Sequence, residues 1–149
     1  MKIPSQKTVV RVLMALALFL MPVSVMADDK PANAEATEAA VAAAKEWLAL
    51  VDEGKYDKSW KAAAPFFKEK VPEALWSEQL DKVRKPLGAV RSREVLGTQF
   101  ATQLPGAPEG EYVVIQFKTS FESKPDAIET VTPMKDSEGV WRVSGYFIR

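Results

Sequence analysis

The chain has 149 residues, 20 Lys+Arg against 20 Asp+Glu, and neither cysteine nor histidine. Without cysteine there is no disulfide, thiolate nucleophile or zinc–thiolate site; without histidine there is no Ser-His-Asp triad, imidazole base or histidine metal ligand. With 47% hydrophobic and 27% charged residues, the composition is that of one foldable globular domain held by an ordinary packed core.

The N-terminus reads as a secretory signal peptide over residues 1–27. Lys2, Lys7 and Arg11 form a positive n-region, Val12 to Met21 is an apolar run, Pro22 breaks it, and Val25-Met26-Ala27 offers a cleavage site after Ala27. The rival, an uncleaved anchor, needs about 20 apolar residues, and this run is shorter and ends at a proline. The expected location is periplasmic or secreted, with membrane contact only during export. No cysteine stands at the cleavage point, which excludes a lipoprotein anchor. Cleavage removes three basic residues and no acidic ones, so the mature chain is net acidic, which argues against a nucleic-acid partner. No phosphate-binding or dinucleotide-binding glycine motif occurs, and no cofactor is expected.

Residues 28–37 read as a polar linker containing Pro31, with Asn33 or Thr37 as a cap for the helix that follows. From Glu38 to Glu53 the chain is alanine-rich. Val41, Ala44, Leu48 and Val51 form one stripe, widened by Trp47 and Leu50, and Gly54 suits the C′ position. Lys55 to Ala64 predicts a second helix ended by Pro65, with Phe66 and Phe67 as an apolar pair after it. A third starts at Pro72 and carries Trp76, Leu80, Val83 and Leu87 on one face, closed by Pro86-Leu87-Gly88. Four strands follow. Val90–Thr102 is mixed and open to interruption at Gly97. Tyr112–Glu122 sets Val113, Ile115, Phe117, Thr119 and Phe121 against Gln116, Lys118, Ser120 and Glu122. Ala127–Lys135 carries Pro133, which marks an edge or a bulge. In Val140–Ile148, Trp141, Val143 and Phe147 alternate with Arg142 and Ser144. Helices first and strands afterwards predict a single α+β domain over residues 38–149, with three helices packed on an antiparallel sheet of about four strands.

Three segments are more specific. They are Trp47-Leu48-x-Leu50-Val51-Asp52-x-Gly54-x-Tyr56-x-x-Ser59-Trp60, Val83-Arg84-x-Pro86-Leu87-Gly88-x-Val90-x-Ser92-Arg93, and Trp141 to Ile148. Together they resemble the domain of unknown function 4019 family of bacterial exported proteins, from about Ala39 to Arg149. The element order also resembles the NTF2-like (cystatin-like) cone, with helices over a curved sheet. The family resemblance implies no catalytic residues, and a fold does not by itself fix a function.

Three residue groups are candidates for function. Trp47, Tyr56, Trp60, Trp76, Tyr112 and Tyr146 would wall a pocket for a small apolar ligand, or simply fill the core. Arg84 and Arg93 would bind an anion through their guanidinium forks, or pair internally with acids. Asp52, Glu53 and Asp57 would serve as a pocket carboxylate, or cap and solvate helix ends. The expected function is that of a non-catalytic binding or interaction domain for a small apolar ligand or a protein partner, with the exposed sheet face available for a homodimer. The alternative is a small cofactor-free enzyme, isomerase or hydrolase, built on a pocket carboxylate.

Overall fold

A computed structural model describes residues 32–149. The signal-peptide reading of residues 1–27 lies outside the described residues. The elements are α1 (Ala32–Asp52), α2 (Tyr56–Ala62), α3 (Pro65–Lys70), α4 (Glu73–Val83), a 3-10 turn over Lys85–Leu87, and strands β1 (Val90–Ala101), β2 (Tyr112–Phe121), β3 (Ala127–Lys135) and β4 (Trp141–Ile148).

Two helical expectations are corrected. The linker predicted over residues 28–37 is helical from Ala32 onward. Alanine alternates through this stretch and has the highest intrinsic helix propensity, so α1 runs straight through it. Thr37 is therefore no cap: its hydroxyl donates to the Asn33 carbonyl one turn back, at 2.6 Å. In place of the three helices expected, the described residues form four. Pro65 both stops α2 and occupies the first turn of a new helix, where its missing N–H costs nothing, and Phe66 and Phe67 lie within that helix.

The C-terminus of α1 closes as a Schellman motif. The Gly54 N–H donates to Val51 O (3.0 Å) and the Lys55 N–H to Leu50 O (2.9 Å), with Gly54 at φ +71°. Gly88 is the second position where the backbone needs glycine. It has φ +76°, and a Cβ there would sit 2.7 Å from the Glu122 Oε2 atom. Gly88→Ala is expected to cost about 1–2 kcal/mol from the left-handed backbone alone, readable as a lowered thermal midpoint with no change in secondary structure.

The four strands form one antiparallel meander in the order β1-β2-β3-β4. On β2 the predicted alternation holds: Val113, Ile115, Phe117, Thr119 and Phe121 are buried, while Lys118 is exposed. On β3 the inward positions are Ala127, Glu129, Val131 and Pro133. The core lies between this face and the helices, and joins Ala44, Trp47, Leu48 and Val51 of α1 to Val113, Ile115, Phe117, Val131 and Val143 of the sheet. The backbone N–H of Ala64, between α2 and α3, donates to Val143 O at 2.8 Å and pins the helical layer to β4.

On β4 the simple alternation fails. Thr132 pairs with Gly145 but Pro133 pairs with Val143, so Ser144 is an extra residue opposite the proline. A bulge of one residue exchanges the faces beyond it. Phe147, expected on the same face as Val143, is 62% exposed, and Tyr146 turns inward onto the core. Pro133 thus marks a bulge in a strand flanked on both sides, not an edge. Among the described residues no helix is long and apolar enough to cross a membrane.

Candidate functional site

The aromatic candidates divide into a cluster and three separate positions. Trp47 of α1, Trp76 of α4 and Tyr146 of β4 meet: ring centroids are 5.8 Å apart for Trp47–Trp76, 5.3 Å for Trp47–Tyr146 and 6.2 Å for Trp76–Tyr146. Phe67 of α3 adds an edge-to-face contact to Trp76 at 5.1 Å. Buried Ser59 organises the group. Its carbonyl accepts the Trp47 indole N–H (2.8 Å), and its hydroxyl accepts the Trp76 indole N–H (2.9 Å) while donating to Tyr56 O (2.7 Å). Each buried indole thus has the polar partner it needs. Trp60 lies apart, its N–H on Val71 O at 2.7 Å. Tyr56 sits at a surface opening of about 430 Å³ between the C-terminal ends of α1 and α4. Tyr112 is fully buried, but its hydroxyl donates to Pro108 O in the β1–β2 loop at 2.6 Å, and it has no place in the main core cluster.

The two arginines do converge, and the anion they hold is internal. Arg93 of β1 grips Asp52 through Nη1 and Nη2, at 2.7 and 3.0 Å. Arg84 Nη2 donates to the same carboxylate at 2.9 Å, and its Nη1 donates to Gly88 O at 2.7 Å. The Arg84 guanidinium also rests on the Phe121 ring, 4.4 Å from its centroid. The Nε of Arg93 donates to Glu129 at 2.7 Å. Glu129 is fully buried and receives two further bonds, from the Thr119 hydroxyl at 2.6 Å and from the Tyr146 hydroxyl. One chain of charge-assisted bonds therefore ties the end of α1, the end of α4 and strands β1, β2, β3 and β4 together.

Burial alone would raise the Asp52 carboxyl. The hydrogen bonds and charges of Arg93 and Arg84 outweigh it, and the pKa lies below its ordinary 3.8. Burial would likewise lower Arg93, but the hydrogen bonds and charges of Asp52 and Glu129 prevail and raise it. The Tyr146 hydroxyl is pushed far up, first by burial and then by the charge and hydrogen bond of Glu129. Because the folded Asp52 value is depressed, its contribution to stability is complete above the unfolded carboxylate range and is lost as pH falls through the folded value. Urea denaturation should therefore show this contribution intact from neutral pH down to about 5 and declining below it. Asp52→Asn is expected to be less stable at neutral pH and to lose less on further acidification.

Of the other acids, Glu53 pairs with Lys55 and Asp57 with Lys61 at 3.6 Å, all at the surface. Among the described residues no group of three or more acids converges to hold a metal ion. Glu129, Thr119 and Ser59 were not among the sequence candidates. For Glu129 a signal did exist: it is an acid on the inward phase of a strand, between Ala127 and Val131, where an unpaired charge would be prohibitive.

The profile of a family described as "Protein of unknown function (DUF4019)" matches residues 43–146, well over half of the chain. The chain belongs to this family. The match runs from the middle of α1 to Tyr146, so the DUF4019 region contains the whole charge chain and the aromatic cluster. The segment Val83 to Arg93, singled out for its spacing, carries both arginines and Gly88 of the DUF4019 domain's buried network. No curated protein shows significant similarity to the chain.

Proposed function

We propose that this DUF4019 protein is an exported, non-catalytic binding module of NTF2-like shape, and that its ligand is a small apolar molecule. The observation that carries the reading is a groove of about 280 Å³ between α4 and the edge strand β4, lined by Trp76, Leu80, Val83, Tyr146, Phe147 and Ile148. Val83 is 48% and Phe147 62% exposed, an apolar rim that water solvates poorly. Export draws support from the pattern of residues 1–27, and the NTF2-like shape from the order of helices and meander. A protein partner or a second copy is the competing occupant of the same edge.

The enzymatic alternative is supported less. A general base needs an oxygen free to take a proton. Both Glu129 oxygens are engaged by Arg93, Thr119 and Tyr146, and both Asp52 oxygens by the two arginines.

Titration with the neutral fluorescent probe 1-N-phenylnaphthylamine tests the groove. Saturable binding is expected, and Val83→Asp and Phe147→Asp should each weaken it by about tenfold, the loss of one apolar contact surface. Unchanged affinity in both variants would overturn the groove as the site. Native mass spectrometry of the protein from a periplasmic fraction reads any retained ligand and the oligomeric state together.

A further inference from the structure

Three of the four tryptophans close their indole N–H on an acceptor inside the protein: Trp47 and Trp76 on Ser59, and Trp60 on Val71. Trp141 has no acceptor among the described residues. It is only half-buried, and its nitrogen is not sealed from water, so this N–H faces solvent. The residue opens β4 and lines a cavity of about 400 Å³ between α1 and β4, away from the α4–β4 groove. Glu46 of α1 lines the same cavity, is exposed, and has no ion pair or hydrogen bond among the described residues. Between them the walls are apolar: Ala43, Leu50, Ala62 and Val140. Arg142, the remaining charge on the lining, is balanced by Asp136, which accepts from its Nε at 2.8 Å, and by Glu138 at 3.9 Å, while its Nη groups make no hydrogen bond among the described residues.

We propose that this cavity binds a neutral saccharide. Its lining residues supply unpaired donors, the Trp141 N–H and the Arg142 Nη groups, and one acceptor unpaired among the described residues, the Glu46 carboxylate, over an apolar floor. A hydroxyl is the ligand group that accepts from the first and donates to the second. An ammonium ion would leave the N–H unmatched, and a carboxylate or phosphate would meet the Glu46 charge while the Arg142 charge is already balanced by Asp136 and Glu138. A hydrocarbon would take both polar groups out of water without replacing their bonds. A sugar ring supplies hydroxyls at its rim and a C–H face that packs on indole and alkyl side chains, and the volume suits a ligand of mono- to disaccharide size. The site differs in place and chemistry from the apolar groove, so either can fail without the other.

The indole region of a proton–nitrogen correlation spectrum tests it, since the protein has four indole N–H groups and three are locked. Trp141→Phe assigns the fourth signal by removing it. On titration of the full mature protein with N,N′-diacetylchitobiose or maltose, the Trp141 signal is expected to shift and saturate in the millimolar range, with those of Trp60 and Trp76, which lie off this cavity, unmoved. Glu46 has no partner among the described residues, so Glu46→Ala should fold normally and weaken the saccharide by at least about fivefold, the value of one hydrogen bond. The proposal is overturned if neither sugar moves the Trp141 signal, if the shift never saturates, if the Trp60 and Trp76 signals move instead, or if Glu46→Ala leaves the affinity unchanged.

Discussion

Arg93→Ala is expected to destabilise the protein by about 3–5 kcal/mol, because it leaves a buried carboxylate without its counter-charge. Glu129 is 0% exposed, and Arg93 is the only cation within bonding distance of it among the described residues. After truncation, Glu129 keeps two hydroxyl donors, Thr119 and Tyr146, which cannot neutralise it. Asp52 keeps Arg84 and so suffers less. In a domain of this size the loss corresponds to a fall in melting temperature of at least about 10 °C, measurable by calorimetry. The double variant Arg93→Met with Glu129→Leu is expected to recover much of it, since an apolar pair of similar volume removes the stranded charge along with the bond. If Arg93→Ala melts like the wild type, the network is not what holds the α1 and α4 ends to the sheet. Full stability with loss of a bound anion would instead restore the ligand-binding role considered for this arginine.

Trp47→Ala is expected to cost about 3–5 kcal/mol, the usual range for removing a large aromatic from a core. Trp47 is 4% exposed, touches Trp76 and Tyr146, and caps the Ser59 carbonyl with its N–H. The variant loses the ring contacts and strands that carbonyl at the same time. Trp47→Phe keeps most of the apolar volume and should cost less than half as much. Were Trp47 chiefly the wall of a ligand pocket, the alanine variant would fold with near-normal stability and fail only in binding. Denaturant titration of both variants, beside a ligand-binding measurement, separates the two roles.

Much of the architecture was readable because period and punctuation act locally. The stripe through Val41, Ala44, Leu48 and Val51, the stop at Gly54, and the alternation from Val113 to Phe121 all follow from side-chain spacing and backbone sterics. The two helical misreadings were local ambiguities. Pro65 can end a helix or begin one, and the stretch from Ala32 to Thr37 has strong helix propensity beside residues typical of linkers. The candidate site was legible in pieces. Arg84 and Arg93 stood out by type; the inward phase of Glu129 on its strand marked it as an acid needing partners, but which partners it has depends on other strands and on residues far along the chain.

The amino-acid sequence by itself determined the class of fold, the absence of thiol and imidazole chemistry, and which side of β2 faces the core, since each depends on composition or on neighbours a few residues apart. The tertiary structure alone decided that Asp52, nine residues before Lys61 and far from Arg93 in the chain, shares one carboxylate between two arginines. It also decided that one extra residue at Ser144 sends Tyr146 inward to Glu129 and Phe147 outward to solvent. The reason is physical: a buried charge is tolerable only beside its partner, and whether the partner is there depends on strand register and helix placement, which no local pattern encodes.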